Sequence, residues 1–338
     1  MKLMVRELAD EEMKLWDTLE EVSPQRSIFT QRWWADIVTH GGVRYLGCFD
    51  GEQLMGALPI WPCVTLGVPR LRQPALTPHW GPLLMPLGGK TAACGSGEAE
   101  ILRALAKALT PWPDIALAFH PSLTNCLPFY WHGFRETTRY TYRIDNLAEN
   151  LPRGSAIHRA VRSGLQRARV HGLTIREGVA PEIVAEMSSM SMARQHMDSS
   201  ADIREFWTRL YRAAQEHGCA TNCAAVDSAG EVHSAFAIVW DDRYAYDLLG
   251  GGDPQYRQSN AGTFVVQHLL EMGMQVAPSF DFEGSMLETV GQFFRQFGGT
   301  LTPYHLLVRN ESPRLNIART VQNWLKSHRR RRPALDGA

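Results

Sequence analysis

Three strand-like stretches follow one another so closely that little freedom remains in how they pair. CATNCAAV (219–226), VHSAFAIVW (232–240) and RYAYDLLG (243–250) are separated only by turns around Asp227-Ser228-Ala229-Gly230 and Asp241-Asp242. A parallel crossover needs about a dozen residues or more, so these strands form an antiparallel meander. The third strand runs into the loop GGDPQYRQSNAG, and the apolar pattern after it predicts a helix over 263–274. Beyond lie a strand in SFDFEG, a helix expected over 288–296 and a strand in TLTPYHLLV. Strands that alternate with helices after a meander predict an α/β (α+β) fold, a mixed and mostly antiparallel sheet flanked by helices.

The first half follows a similar plan. Asp10 and Thr30 are placed to cap two helices, and the apolar runs 44–49 and 53–61 meet at Asp50-Gly51, a hairpin signal. A Pro-rich stretch from Pro59 to Pro86 reads as irregular structure, Ser96 precedes an Ala/Leu-rich helix to Leu109, and DIALAFH and RYTYRI read as strands. The shared plan points to a duplicated unit, which the 338-residue length accommodates. The expected division is a first unit over 1–150, a second and catalytic unit over 151–310, and a helix with a basic tail over 311–338 packing back on the first.

Composition excludes several classes. With 44% hydrophobic and 21% charged residues the chain is neither disordered nor fibrous, and no apolar run approaches the ~20 residues of a membrane span. The N-terminus MKLMVRELADEEMKLW has acids where a signal peptide needs an apolar centre, so a cytoplasmic protein is expected. Six cysteines without a Cys-x-x-Cys pair read as reduced thiols, and no metal site is expected.

Three segments carry chemistry. First, the helix opened by Asn260, Ala261 and Gly262 would aim its unpaired first-turn N–H groups and positive dipole end at an anion, with Tyr256 and Arg257 alongside. An ordinary strand-to-helix connection is the competing reading. Second, residues 151–176 hold six arginines and no acid, and on a helix over 155–170 Arg159, Arg162 and Arg169 fall along one edge. That edge suits phosphate groups; a solvated face is the alternative. Third, alternation in FDFEG puts Phe280 and Phe282 on one face and Asp281 and Glu283 on the other. Two carboxylates sharing a site repel, which raises one of them towards a usable base. The alternative is that one caps the next helix or pairs with an arginine. Tyr304 or His305 on the following strand is the candidate acid for a leaving group.

FTQRWW, the basic helix, LLGGGDPQYRQSNAG, FDFEGS and FFRQFGGTLTPY together resemble the Fem-type branch of the GNAT acyltransferase superfamily across most of the chain. Arg257, Asn260, Ala261 and Gly262 fit that superfamily's Arg/Gln-x-x-Gly-x-Gly/Ala pattern with one departure, Asn260 at the first glycine position. The resemblance implies tandem GNAT-like units and transfer of an acyl or aminoacyl group to an amine by direct attack. The donor is acyl-CoA or aminoacyl-tRNA as a co-substrate, with no permanently bound cofactor and with tRNA contact in the second case. The acceptor is an amine on a cell-wall precursor or a small metabolite. A non-catalytic GNAT-like binding module for a phosphorylated or nucleotide-linked ligand is the alternative.

The 35 basic and 35 acidic residues cancel only in total. Residues 177–308 hold seven basic and seventeen acidic side chains, between the arginine-rich 151–176 and a basic end at 309–338. The local imbalance suits phosphate on one side of a reaction and an amine on the other.

Overall fold

The computed structural model describes residues 2–88, 91–195, 199–284, 286–318 and 320–321. Contacts within the chain group into two units, Met1–Thr138 with Tyr304–Ala338, and Arg139–Pro303.

In the first unit β1 (Leu3–Glu7) pairs antiparallel with β2 (Arg44–Asp50), and β2 with β3 (Gln53–Ile60). Gly51 turns this hairpin at φ +62, as its Asp-Gly sequence requires. Helices α1 (Met13–Val22) and α2 (Arg32–Thr39) bury Trp16, Leu19, Trp34 and Val38. The Pro-rich stretch holds more order than expected. It forms a hairpin of β4 (Pro62–Thr65) and β5 (Val68–Leu71), then β6 (Leu83–Leu84) beside β3. Strands this short leave room for prolines at positions that need no ladder N–H.

Helix α3 (Thr91–Leu109) begins before the expected cap at Ser96 and buries Ile101, Leu102, Leu105 and Leu109 at helical spacing. It is followed by β7 (Asp114–Ala118), parallel to β5, and by the single turn α4 (Leu127–Tyr130). The unit boundary falls within β8 (Arg135–Ile144).

The second unit contains α5 (Leu147–Asn150), α6 (Arg159–Val170), β9 (Thr174–Glu177), α7 (Pro181–Arg194) and α8 (Ala201–Glu216). The expected meander follows as β10 (Ala220–Val226), β11 (Val232–Trp240) and β12 (Tyr244–Gly252), antiparallel throughout. Then come α9 (Ala261–Val276), β13 (Ser279–Asp281) and α10 (Glu288–Arg295). The strand order in this unit is β8, β13, β12, β11, β10, β9. Among the described residues of this unit only β12 and β13 pair in parallel, because α9 makes the crossover between them.

Val265, Val266, Leu269 and Leu270 of α9 are buried in one cluster with Phe280, Phe282, Phe294 and Phe297. The Phe280 and Phe282 rings, expected on one face, pack with centroids 4.9 Å apart. Each such ring contributes about 1.5–3 kcal/mol of burial.

Strand β14 (Thr300–Asn310) is the last, and its residues from Tyr304 onward belong to the first unit, where they pair antiparallel with β7. Residues 313–318 are helical; the basic cluster at 329–332 and the side chain of Cys94 lie outside the described residues. No helix among the described residues is long and apolar enough to cross a membrane.

Candidate active site in the second unit

Helix α9 begins directly after Asn260, which adopts the left-handed conformation at φ 58, ψ 28. A glycine would adopt it freely, and asparagine is among the few other residues that do so at small cost. The departure from the glycine pattern therefore keeps the turn. The Asn260 amide donates to the Gln258 carbonyl at 3.0 Å and does not cap α9. Ala261, Gly262 and Thr263 of the first turn border a cavity of about 550 Å³.

The loop before Asn260 is stiffened locally. The Asp253 side chain accepts from the Gln255 N–H at 2.8 Å, and Pro254 starts a 3-10 turn over Pro254–Ser259. Tyr256 stacks on His233 of β11, with centroids 3.9 Å apart and rings tilted by 1°. His233 Nδ1 lies 3.1 Å from the Ser259 hydroxyl, and Nε2 lies 3.3 Å from an Asp227 carboxylate oxygen. The chain Asp227–His233–Ser259 ties the meander's first turn to the loop. Asp227 is held below its ordinary pKa first by the Glu231 N–H and further by His233.

Three glycines end β12 because neighbours occupy the space of their side chains. A Cβ on Gly250 would meet the Phe236 ring at 1.9 Å, and one on Gly251 the Met187 carbonyl at 2.3 Å. The Ser191 hydroxyl accepts from the Gly252 N–H at 3.1 Å, which joins α7 to the same strand end. Upstream, Ile238 faces Asp247 while Ala237 faces Leu249, so Leu248 is the extra residue of a β-bulge.

Tyr256, Arg257, Asn260, Ala261 and Gly262, grouped from the sequence, all line the one cavity. Arg159, Arg162 and Arg169 do not; all three are exposed, and Arg162 donates to the Ile157 carbonyl at 3.0 Å. The stripe of α6 that borders the cavity is Ala160, Ser163 and Arg167. The helical wheel located the basic helix, and the flank it favoured does not border this cavity, because sequence does not say which side of an apolar stripe meets a cavity. Gly164, on the buried stripe, packs on Thr263, where a Cβ would come within 2.9 Å. Arg167, Arg194 and Arg257 outnumber Asp253 along the lining. The balance favours an anion, which the α9 start also attracts.

Asp281 and Glu283 occupy different environments. Strand β13 ends at Asp281, and Glu283 turns away at φ 54, so the expected alternation stops between them. Asp281 is buried and accepts from Arg143 Nε at 2.6 Å, from the Thr141 hydroxyl, and from the Glu283 N–H at 2.8 Å. This is the arginine pairing weighed as the alternative for one of the two carboxylates. Glu283 Oε1 is buried without a hydrogen-bond partner among the described residues. Burial first, then the charges of Asp281 and Asp247, push its carboxyl well above the ordinary range. Burial alone pushes Asp247 up to about 8.

Tyr304 and His305 belong to the first unit. Tyr304 is buried, and His305 Nδ1 lies 2.6 Å from Glu136 Oε1. These contacts give no support to a leaving-group acid. Sequence reading passed over His233, Arg167, Arg194 and Asp247. Only Asp247 carried a visible signal, an acid inside the apolar strand YAYDLLG.

Residues 155–284 match the family described as acetyltransferase (GNAT) domain. Comparison with curated protein sequences gives no significant match. Among solved structures, FemX is similar at TM-score 0.61 and 12% identity, over 90% of this chain and 97% of that one. A tandem GNAT protein from the clavulanic acid biosynthesis pathway is similar at 0.51 and 14% identity, over 91% and 98%. A conserved protein of unknown function from Bacteroides thetaiotaomicron is similar at 0.53 and 10%, over 91% and 99%. At such identities the likeness is one of fold. Residues 155–284 therefore match the acetyltransferase (GNAT) domain family, within a chain whose fold is that of FemX and of the tandem GNAT protein.

Proposed function

We propose that the second unit transfers an acyl group from an acyl-CoA to an amine. The observation that carries this reading is the uncapped start of α9, set on a 550 Å³ cavity with Arg167, Arg194 and Arg257. A pyrophosphate takes hydrogen bonds from such N–H groups and ion pairs from guanidiniums. In the proposed reaction the neutral amine attacks the acyl carbonyl carbon and forms a C–N bond. The tetrahedral intermediate then expels the CoA thiolate, breaking the C–S bond. The amine's surplus proton passes to the Glu283 carboxylate, whose raised pKa makes it a stronger base than an ordinary one. Asp281, already saturated by donors, holds the turn at Glu283; neither carboxylate lines the 550 Å³ cavity itself.

The exposed arginines Arg159 and Arg169 favour a second donor, aminoacyl-tRNA, whose backbone such an edge attracts. The same chemistry applies, with the tRNA ribose oxygen leaving in place of the thiolate.

The test is turnover with acyl-CoA or charged tRNA in the presence of a panel of amines, read as donor deacylation by mass spectrometry. Amine-dependent release of CoA is expected, and Glu283→Gln should lower kcat about 10²–10⁴-fold while CoA affinity holds. Deacylation of charged tRNA alone would move the assignment to the aminoacyl donor. Tight ligand binding without turnover from either donor would make the unit a binding module.

A further inference from the structure

We propose that Cys126, Glu136 and His305 of the first unit bind one divalent transition-metal ion, best matched by zinc. The three residues come from separate segments: Cys126 precedes α4, Glu136 is the second residue of β8, and His305 lies on β14. One ligand atom from each lies within 4.8 Å of the other two. Thiolate, carboxylate and imidazole are the three side-chain ligands zinc takes, at about 2.0–2.3 Å. A sulfur and a nitrogen ligand select against magnesium and calcium, which take oxygen.

His305 Nδ1 is 2.6 Å from Glu136 Oε1, yet it is buried and has no partner in hydrogen-bond alignment among the described residues. Two ligand atoms crowded together without alignment can share a cation between them. Tetrahedral zinc holds such a pair about 3.3 Å apart, so the gap must open by under about 1 Å. Glu136 can move that far, since its side chain keeps 40% of its exposure. That exposure also puts the Glu136 edge of the site in contact with solvent.

Cys126 is buried. It enters the site as a thiol and loses its proton on binding. One Zn²⁺ replaces one H⁺, and thiolate plus carboxylate neutralise the ion. The ion would clasp the α4 turn, the start of β8 and β14 together, independently of acyl transfer in the second unit.

The experiment uses the full chain, stripped with a chelator and titrated with Co²⁺ and then Zn²⁺. One metal per chain is expected, with a cobalt–thiolate charge-transfer band that zinc abolishes. Cys126→Ser should remove the band, and both Cys126→Ser and Glu136→Gln should weaken zinc at least about tenfold. Glu136→Gln changes an exposed side chain, so it remains informative if Cys126→Ser fails to fold. Zinc should raise the melting midpoint of the parent chain and not of Glu136→Gln. Absence of the thiolate band, or zinc affinity unchanged in Glu136→Gln, would overturn the site.

Discussion

One carboxylate of FDFEG accepts from Arg143, Thr141 and the Glu283 N–H, whereas the other has a buried oxygen without a hydrogen-bond partner among the described residues and a raised pKa. The two acids of FDFEG therefore separate in experiment. Asp281→Asn leaves Arg143 buried without its counter-charge and should destabilise the fold by about 3–5 kcal/mol, read by denaturant titration. Glu283→Gln should leave stability nearly unchanged, or raise it, while turnover falls.

Asp247 adds a pH dependence. Its folded pKa of about 8 lies above the ordinary carboxylate value, so the folded state holds this proton more tightly than the unfolded chain. The favourable contribution is complete below pH ~4 and is lost, by at most about 1.4 kcal/mol per pH unit, as pH rises to about 8. Asp247→Asn, which mimics the protonated form, should flatten stability between these limits in unfolding titrations at a series of pH values.

At the scale of the element, the start of α9 rests on one backbone conformation. Asn260→Gly should preserve it, since glycine enters the left-handed region freely, and donor affinity should hold within a few-fold. Asn260→Val places a β-branched side chain at φ 58 and should cost about 1–2 kcal/mol, with weaker donor binding by calorimetry. Much at this scale was legible in the sequence. Short turns dictated the meander, Asp50-Gly51 the first hairpin, and the Arg257–Gly262 pattern the loop that opens α9. The flank of α6 was not legible. Arg159, Arg162 and Arg169 are as arginine-like as Arg167, and only the packing of Gly164 on Thr263 turns Arg167 to the cavity. Strand β13 was overextended for a similar reason, since the hydrogen bond from the Glu283 N–H to Asp281 ends it where alternation would continue.

Across the whole molecule, the chain runs through one unit, then a second, and returns at Tyr304 to the first. The cluster of Cys126, Glu136 and His305 depends on that return. Cys126 and His305 are far apart in sequence, so spacing rules that find ligands a few residues apart could not join them. His233 belongs to the same class: its partners Asp227 and Ser259 meet it only because β11 lies beside the loop that opens α9. The sequence by itself determined local order: which segments are strands or helices, how close neighbours pair, and where the helix start that borders the cavity lies. Those properties follow from periodicity and turn chemistry within a few residues. Tertiary structure alone decided which arginine faces the cavity, which of two neighbouring acids is saturated, and which distant side chains converge. These outcomes depend on desolvation and on contacts between residues far apart along the chain, and no local pattern encodes either.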